Sequence, residues 1–136
     1  MRVAIKSSGH DYLGRSTARH SLLLWTAYLK NITFAEHFYV AGADQGSVVT
    51  VGSGVGLMTV FAAAKTQGKM FVGGAVATIS PAGGYVQGAG HSPFSPIFGL
   101  AADNVLRTWF MLNPIPPGMT QGTPQNSASF WPMAHS

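Results

Sequence analysis

Residues 47–72 read SVVTVGSGVGLMTVFAAAKTQGKMFV, and this stretch decides the class of fold. The β-branched run at 48–51 predicts a buried strand. After the glycine turn 52–56, apolar residues recur at helical spacing and predict a helix over 57–67. A further strand at 70–72 completes a strand, helix, strand order, which favours parallel pairing of the two strands. The sequence therefore predicts an α/β (α+β) fold.

Two more strands are predicted on the N-terminal side. Residues 2–6 are rich in β-branched and small apolar types, and they run into a polar loop of turn-forming residues at 7–16. The apolar run at 22–25 predicts a second, largely buried strand. Because the first strand begins so close to the first methionine, we expect further structure to precede it in the intact protein.

The composition of the chain changes twice towards its C-terminus. Glycine, proline and small residues dominate 73–99, which indicates backbone held close to a partner. Beyond Asn113, proline and glycine recur without apolar periodicity. We therefore predict one domain over 1–112, followed by an irregular, poorly packed segment at 113–136.

Composition excludes several classes of protein. Charged residues make up only 9% of the chain against 46% hydrophobic residues, which argues against disorder. The net charge is +4, but the Lys and Arg residues are scattered, so a nucleic-acid partner is not expected. With no cysteine, the chain has no disulfide, thiolate zinc site or cysteine nucleophile. No apolar run is long enough for a membrane span, and no signal-peptide core follows Met1. The compartment is left open.

The glycine turn 52–56 invites a dinucleotide-binding interpretation, since it follows a strand and precedes a helix. The spacing of the third glycine is wrong for that fingerprint, and no acidic residue lies about 20 residues further on. We therefore interpret these glycines as close packing between strand and helix.

The loop at 7–16 is the better candidate for an anion site. Lys6, the serine hydroxyls and the Gly9 amide can converge on phosphate oxygens, although an ordinary turn with a solvated lysine is an equal alternative. His10 and His91 are lone histidines without the paired spacing of metal ligands. No serine lies in a convincing nucleophile elbow, so a hydrolase triad is not supported.

Two long motifs carry a resemblance to a known family. The first is KSSGHDYLGRST at 6–17, and the second is AGGYVQGAGHSPFS at 82–95, followed by GLAADNVL at 99–106. In order and spacing they resemble the FAD-linked oxidoreductases with a PCMH-type FAD-binding domain. This group includes berberine-bridge-enzyme-like and vanillyl-alcohol-oxidase-like oxidases, particularly the fungal members.

The resemblance implies an FAD site made from both motifs. The first loop would hold the FAD pyrophosphate, and His10 matches the family's histidine that bonds covalently to the flavin 8α-methyl group. The second motif would line the cofactor, and residues 103–105 would pack near its adenosine end. The implied cofactor-binding residues are Lys6, Ser7, Ser8, Gly9, His10, Asp11, Gly14, Thr78, Gly83, Gly84, Tyr85, Gly88, Gly90, His91, Asp103 and Val105.

The chain also departs from the family pattern. Val76 stands where bicovalent members have a cysteine, so only one covalent link, through His10, is expected. The resemblance covers about 3–106 and includes neither the family's substrate domain nor the catalytic base that this domain contributes. We therefore expect a partial PCMH-type FAD-binding domain that is inactive alone, with catalytic residues unassigned.

The resemblance implies a function for the complete protein. It would oxidise a small molecule, an alcohol, amine or sugar, by hydride transfer to FAD with oxygen as acceptor. The alternative is a nonenzymatic remnant, or a module that binds FAD without turnover. The family's full-length members are often secreted. The substrate and the oligomeric state are left open.

Overall fold

The computed structural model describes residues 1–108, 128–132 and 134–135. The elements, in chain order, are β1 (Arg2–Lys6), β2 (Ser21–Trp25), β3 (Ile32–Ala35), β4 (Tyr39–Val40), β5 (Ala43–Asp44), β6 (Val48–Gly52), α1 (Leu57–Thr66), β7 (Lys69–Met70), α2 (Ser95–Phe98), β8 (Arg107–Thr108), β9 (Ala128–Pro132) and β10 (Ala134–His135). Short 3₁₀ turns lie at Arg15–Thr17 and Ala101–Asn104, and a π-type turn lies at Pro81–Tyr85.

The largest sheet has four antiparallel strands in the order β3, β6, β9, β8. β6 lies inside this sheet, and its residues Val48, Val49 and Val51 are buried. β-branched side chains pack well on such a pleated surface, which explains why this run forms the central strand. The predicted strand at 48–51 is confirmed.

The core forms where α1 packs against β6. Leu57, Val60 and Ala64 are the buried residues of α1, and their spacing of three and four places them on one helix face. They join Val49 and Val51 of β6 in one apolar cluster, which also contains Val55 and Phe71. The helix predicted over 57–67 is therefore confirmed.

β7 does not pair as predicted. The strand, helix, strand order favoured parallel pairing of β7 with β6, but β7 pairs antiparallel with β10, in a separate two-stranded sheet. A strand has only two edges, and those of β6 are occupied by β3 and β9. The prediction of a parallel crossover is therefore wrong.

β2 is also placed differently from the prediction. It pairs parallel with β1, and the register sets Val3 beside Leu22 and Ile5 beside Leu24. These four side chains share one face of the sheet and are 54%, 60%, 48% and 44% exposed, in the order Val3, Ile5, Leu22, Leu24. The prediction of a largely buried strand is wrong, because a short apolar run does not reveal whether another layer covers it.

Part of the segment predicted to be irregular is a strand. β9 pairs along the whole of β6, from Val48 opposite Pro132 to Gly52 opposite Ala128. The expectation of irregular structure is wrong at these residues, because a five-residue strand is too short to show periodicity. The predicted boundary at Leu112 lies outside the described residues and stays a prediction.

Within the described residues, no helix has the length and apolar character needed to cross a membrane.

The exposed face of the β1–β2 sheet yields a prediction. Replacing Ile5 and Leu24 together by Thr should reduce the binding of a hydrophobic dye and the self-association of the chain, because contiguous exposed apolar surface promotes both. Threonine keeps the preference for a strand, so the far-ultraviolet circular dichroism should not change. Met58→Gln, at an exposed residue of α1, is the control and should leave dye binding near the parent value. Equal dye binding by the parent and the double variant would contradict the prediction.

Candidate functional site

The loop after β1 presents free backbone donors. Gly9 has a φ of +80°, a conformation that glycine adopts at little cost. The backbone N–H groups of Gly9 and His10 donate no hydrogen bond to any described residue. Consecutive free amides beside a left-handed glycine form a concavity that attracts anions.

Lys6 contributes a positive charge next to this loop. Its ammonium nitrogen lies 4.9 Å from the centroid of the Trp25 ring, within the range of a cation–π interaction. The indole N–H of Trp25 donates a hydrogen bond of 3.1 Å to the Ser7 carbonyl oxygen. β2 therefore supports both the lysine and the backbone of the loop.

Asp11 is neutralised within the same loop. Its carboxylate accepts hydrogen bonds from the Arg15 backbone N–H at 2.6 Å and from the guanidinium at 2.6 and 3.0 Å. These hydrogen bonds lower the pKa of Asp11, and the bond from the Arg15 side chain has the largest effect. Because folding lowers the pKa of Asp11, its pairing with Arg15 stabilises the fold at pH values above the pKa of Asp11 in the unfolded chain. This stabilisation is lost as the pH falls through the pKa of Asp11 in the folded chain. Gly14 begins the turn that carries Arg15.

His10 is held from a distant part of the chain. Its Nε2 atom lies 2.8 Å from the Thr78 hydroxyl oxygen. The geometry allows Nε2–H to donate to Thr78, which leaves the Nδ1 lone pair free; this tautomer is an assignment from the hydrogen bond. The two predicted residues therefore meet, although they are 68 positions apart.

Two further contacts join the same segments. The Ser80 backbone N–H donates to the Ser8 hydroxyl oxygen at 3.1 Å. A Cβ atom added to Gly83 would lie 3.2 Å from the Ser7 Cβ, so the two segments approach closely at this point. Together with His10 and Thr78, these contacts make segments 7–10 and 78–83 run side by side in opposite directions.

Ser53, the residue directly after β6, forms hydrogen bonds with both segments. Its carbonyl oxygen accepts a hydrogen bond of 2.5 Å from the Ser7 hydroxyl and one of 2.8 Å from the Ser80 hydroxyl. Its own hydroxyl oxygen is buried and has no hydrogen-bond partner among the described residues. The Ser7 hydroxyl therefore donates to the protein itself, whereas the family resemblance implies a contact of Ser7 with the pyrophosphate.

The glycine turn after β6 does not present free helix amides. Leu57 N–H donates to the Ile79 carbonyl at 2.9 Å, and Met58 N–H donates to the Ala77 carbonyl at 3.0 Å. A Cβ atom on Gly54 would lie 2.5 Å from the Thr26 carbonyl oxygen. The glycines serve close packing, as predicted, but the neighbours of Gly54 are backbone atoms of the 26–27 loop rather than the helix.

Tyr85 lies between two glycines. Cβ atoms on Gly74 and on Gly90 would each lie 3.0 Å from the tyrosine ring. The phenol donates a hydrogen bond of 2.9 Å to the His91 carbonyl oxygen. Burial raises the pKa of Tyr85. This side chain therefore holds the glycine-rich segment together.

The other predicted residues of the second motif lie around this packing. Gly84, Gly88 and the His91 side chain are exposed. The Asp103 carboxylate accepts the Leu100 backbone N–H at 2.8 Å, so it closes a turn. Val105 is half-buried and packs against the core cluster. The contact of these residues with FAD stays a prediction.

Trp25, Ser53 and Ser80 were not among the residues predicted for the site. Trp25 was predicted as part of a strand, and Ser53 as part of a packing turn. Ser80 gives no signal in the sequence, because its role depends on burial and on its partners. Within the part of the chain that the structure describes, no group of three His, Cys, Asp or Glu residues is placed to hold a metal ion.

Comparison with known proteins defines the class. A family model described as an FAD binding domain matches residues 1–114. This chain therefore belongs to the FAD-binding family that the two motifs indicated, and FAD is its cofactor. The family expected from the resemblance and the predicted fold class are confirmed.

Particular relatives are fungal flavoproteins. The FAD-linked oxidoreductase patO of Aspergillus clavatus is 39% identical over 134 residues, which are 98% of this chain and 23% of the relative. The VAO-type flavoprotein oxidase VAO615 of Thermothelomyces thermophilus is 37% identical over 134 residues, again 98% of this chain and 23% of the relative. The chain thus spans about a quarter of their length.

Solved structures show the same fold. The VAO-type flavoprotein MtVAO615 from Myceliophthora thermophila C1 has a TM-score of 0.84 and 30% identity, covering 99% of this chain and 28% of that chain. Berberine bridge enzyme has a TM-score of 0.74 at 20% identity, covering 98% and 29%. At that identity the likeness shows the fold alone.

The residues present fit FAD. The pyrophosphate is anionic, and the loop offers the free amides of Gly9 and His10 beside the Lys6 ammonium. The nearest carboxylate, Asp11, is compensated by Arg15. The donor set therefore favours an anion.

The unpaired hydroxyl of Ser53 yields a prediction for the flavin-free chain. Ser53→Ala should raise the free energy of unfolding by about 1 kcal/mol, because a buried hydroxyl without a partner costs its desolvation energy. Ser47→Ala is the matched control: Ser47 is also buried, but its hydroxyl bonds to Glu36 at 2.9 Å, so this variant should be less stable than the parent. Urea unfolding measures both variants, and equal losses of stability would contradict the prediction.

The burial of Tyr85 yields a prediction for alkaline pH. In a titration towards alkaline pH, the phenolate absorbance should rise in one late step, at a pH above the pKa of free tyrosine, which is about 10. Tyr85→Phe should remove this late step. Because folding raises the pKa of Tyr85, its contribution to stability is retained at pH values below the pKa of Tyr85 in the unfolded chain. This contribution is lost as the pH rises through the pKa of Tyr85 in the folded chain. The Tyr12→Phe control should keep the late step, since Tyr12 is exposed. A late step that persists in Tyr85→Phe would show that another tyrosine causes it.

Proposed function

We propose that this chain is the FAD-binding part of an oxidoreductase that oxidises an alcohol, amine or sugar, with oxygen as the electron acceptor. The bound FAD supplies the site that accepts the substrate's hydride. One observation carries the proposal: the exposed His10 is held through Nε2 by Thr78 beside the two free amides of its own loop.

Each residue of the loop has a distinct task in this proposal. The amides of Gly9 and His10, with the Lys6 ammonium, bind the pyrophosphate. Thr78 orients the imidazole by accepting a hydrogen bond from Nε2–H, so that the Nδ1 lone pair is available to the flavin methyl group as a nucleophile. Arg15 neutralises Asp11, which would otherwise repel the anionic cofactor.

The link through His10 is the only covalent one that we propose. Val76, at the family's cysteine position, has no nucleophilic atom. The link would replace one C–H bond of the flavin 8α-methyl group and the Nε2–H bond of the imidazole by a bond between the methyl carbon and Nδ1. Oxygen would take up the two protons and two electrons as hydrogen peroxide, so the step is balanced.

A module that binds FAD without turnover is the second candidate. Two titratable groups near the proposed site are already engaged, since Asp11 pairs with Arg15 and the Tyr85 phenol donates to the His91 carbonyl. An oxidase needs a base within hydrogen-bond reach of the substrate proton. Peroxide release by the FAD-loaded chain, measured against a panel of alcohols, amines and sugars, separates the two candidates: turnover above that of free FAD supports catalysis within this chain.

The covalent link yields a direct prediction. The chain purified from flavin-replete cells should give a yellow pellet after acid precipitation, and digestion should yield a flavin-bearing peptide that contains His10. His10→Ala should release all flavin into the supernatant, because the nucleophile is lost. His20→Asn is the matched control, since His20 has a φ of +56° that asparagine tolerates, and its pellet should stay yellow. Flavin retained in the His10→Ala pellet would show that another residue forms the link.

A further inference from the structure

The contacts between the histidine loop and the opposite segment follow one register. His10 meets Thr78, Ser8 meets Ser80, and Ser7 meets Gly83. Ser80 takes part in the central contact of the three. A shift of either segment along the other would therefore break the Ser80 contact together with that of His10.

Ser80 also joins this register to the core. Its hydroxyl donates to the Ser53 carbonyl at 2.8 Å, while its backbone N–H donates to Ser8. Ser80 is only 3% exposed and Ser53 is 5% exposed. Hydrogen bonds at such buried positions are strong. Without the Ser80 hydroxyl, the Ser53 carbonyl keeps its bond from Ser7 but no longer holds the segment that carries Ser80.

The two bonds of Ser80 differ in what they constrain. The hydroxyl fixes Ser80 to Ser53, the residue directly after β6, and four of the five residues of β6 are buried. The backbone N–H then fixes Ser8, two residues before His10. A rigid element therefore determines the position of a reactive side chain on an exposed loop.

We propose that Ser80 is a positioning residue for covalent flavin attachment. It does not touch the reacting atoms; it sets the register that places His10 Nδ1 against the flavin methyl group. This inference rests on the proposed function of His10. A displacement of about 1 Å between reacting groups lowers a rate by up to about 100-fold, whereas noncovalent binding depends on many contacts.

The test compares Ser80→Ala with a matched control. Ser21→Ala also removes a serine hydroxyl that donates to a carbonyl, that of Ala18 at 2.5 Å, at the end of β2 opposite to Trp25. The full chain is produced without flavin and mixed with saturating FAD, and covalent incorporation is followed over time. We expect attachment about 10-fold slower in Ser80→Ala and unchanged in Ser21→Ala.

A second measurement separates positioning from binding. The FAD dissociation constant is measured in a His10→Ala background, in which no link forms. Adding Ser80→Ala should change this constant by less than about 3-fold, because the anion-binding backbone amides of residues 9 and 10 remain. A large loss of affinity together with an unchanged attachment rate at saturation would overturn the inference.

A third measurement needs no flavin. Amide hydrogen exchange across residues 6–13 of the flavin-free chain should be faster in Ser80→Ala than in the parent. Ser8→Ala provides a second variant if Ser80→Ala does not fold, because Ser8 is exposed and its hydroxyl accepts the Ser80 N–H; it should show the same faster exchange. Unchanged exchange in the variant used would overturn the inference.

The possible failures are distinguishable. If the parent chain binds no FAD, the proposed function fails and the inference fails with it. If the parent attaches FAD and Ser80→Ala attaches it at the same rate, the inference alone fails. A variant that unfolds at lower temperature but attaches bound FAD normally would show that Ser80 serves stability only, which also overturns the inference.

Discussion

The carbonyl oxygen of Ser53 connects the core to the candidate site. It lies directly after β6, whose two edges are both paired and whose valines are buried, so its position is fixed by the core. The hydroxyls of Ser7 and Ser80 both donate to it. A carbonyl has two lone pairs and can accept both bonds. The two segments that carry His10 and Thr78 are thereby held by one rigid point, although they are far apart in the chain.

Glycine makes this arrangement possible where backbones meet. A Cβ atom on Gly52 would lie 2.2 Å from the Leu29 carbonyl oxygen, so that any side chain there would displace the 26–31 loop. The Gly52 and Gly54 amides donate to the Asn31 and Leu29 carbonyls at 2.8 and 2.9 Å. The turn after β6 therefore packs against the backbone that leaves β2, and β2 carries Trp25 to the Ser7 carbonyl. The glycines that suggested a nucleotide fingerprint instead set the distance between the core and the first loop.

The sequence predicts the parts of this fold that depend on local pattern. The central strand and α1 follow from β-branched content and from apolar spacing, and both are confirmed. The partner of β7 could not be predicted, because the edges of β6 are filled by β3 and by β9, and β9 lies about 80 residues away in sequence. The exposure of β2 could not be predicted either, because it depends on whether another layer of the fold covers the strand. The motifs identified the FAD-binding family and brought His10 and Thr78 into one set, whereas Ser53 and Ser80 required knowledge of burial.

Charge pairing explains how a chain with so few charges can favour an anionic cofactor. The chain has four acidic residues, and the structure gives each a partner. Asp11 pairs with Arg15, Glu36 with Lys69, and Asp44 with His37, while Asp103 accepts a backbone N–H. In the part of the chain that the structure describes, Arg15 and Lys69 are the cations of two of these pairs, out of eight Lys and Arg residues in the sequence. The remaining cations, with Lys6 beside the free amides, give the surface a positive potential without a basic run. In the function proposed above, this weak, distributed attraction would draw the cofactor in, and the fixed amides of the loop, rather than net charge, would determine where its phosphates bind.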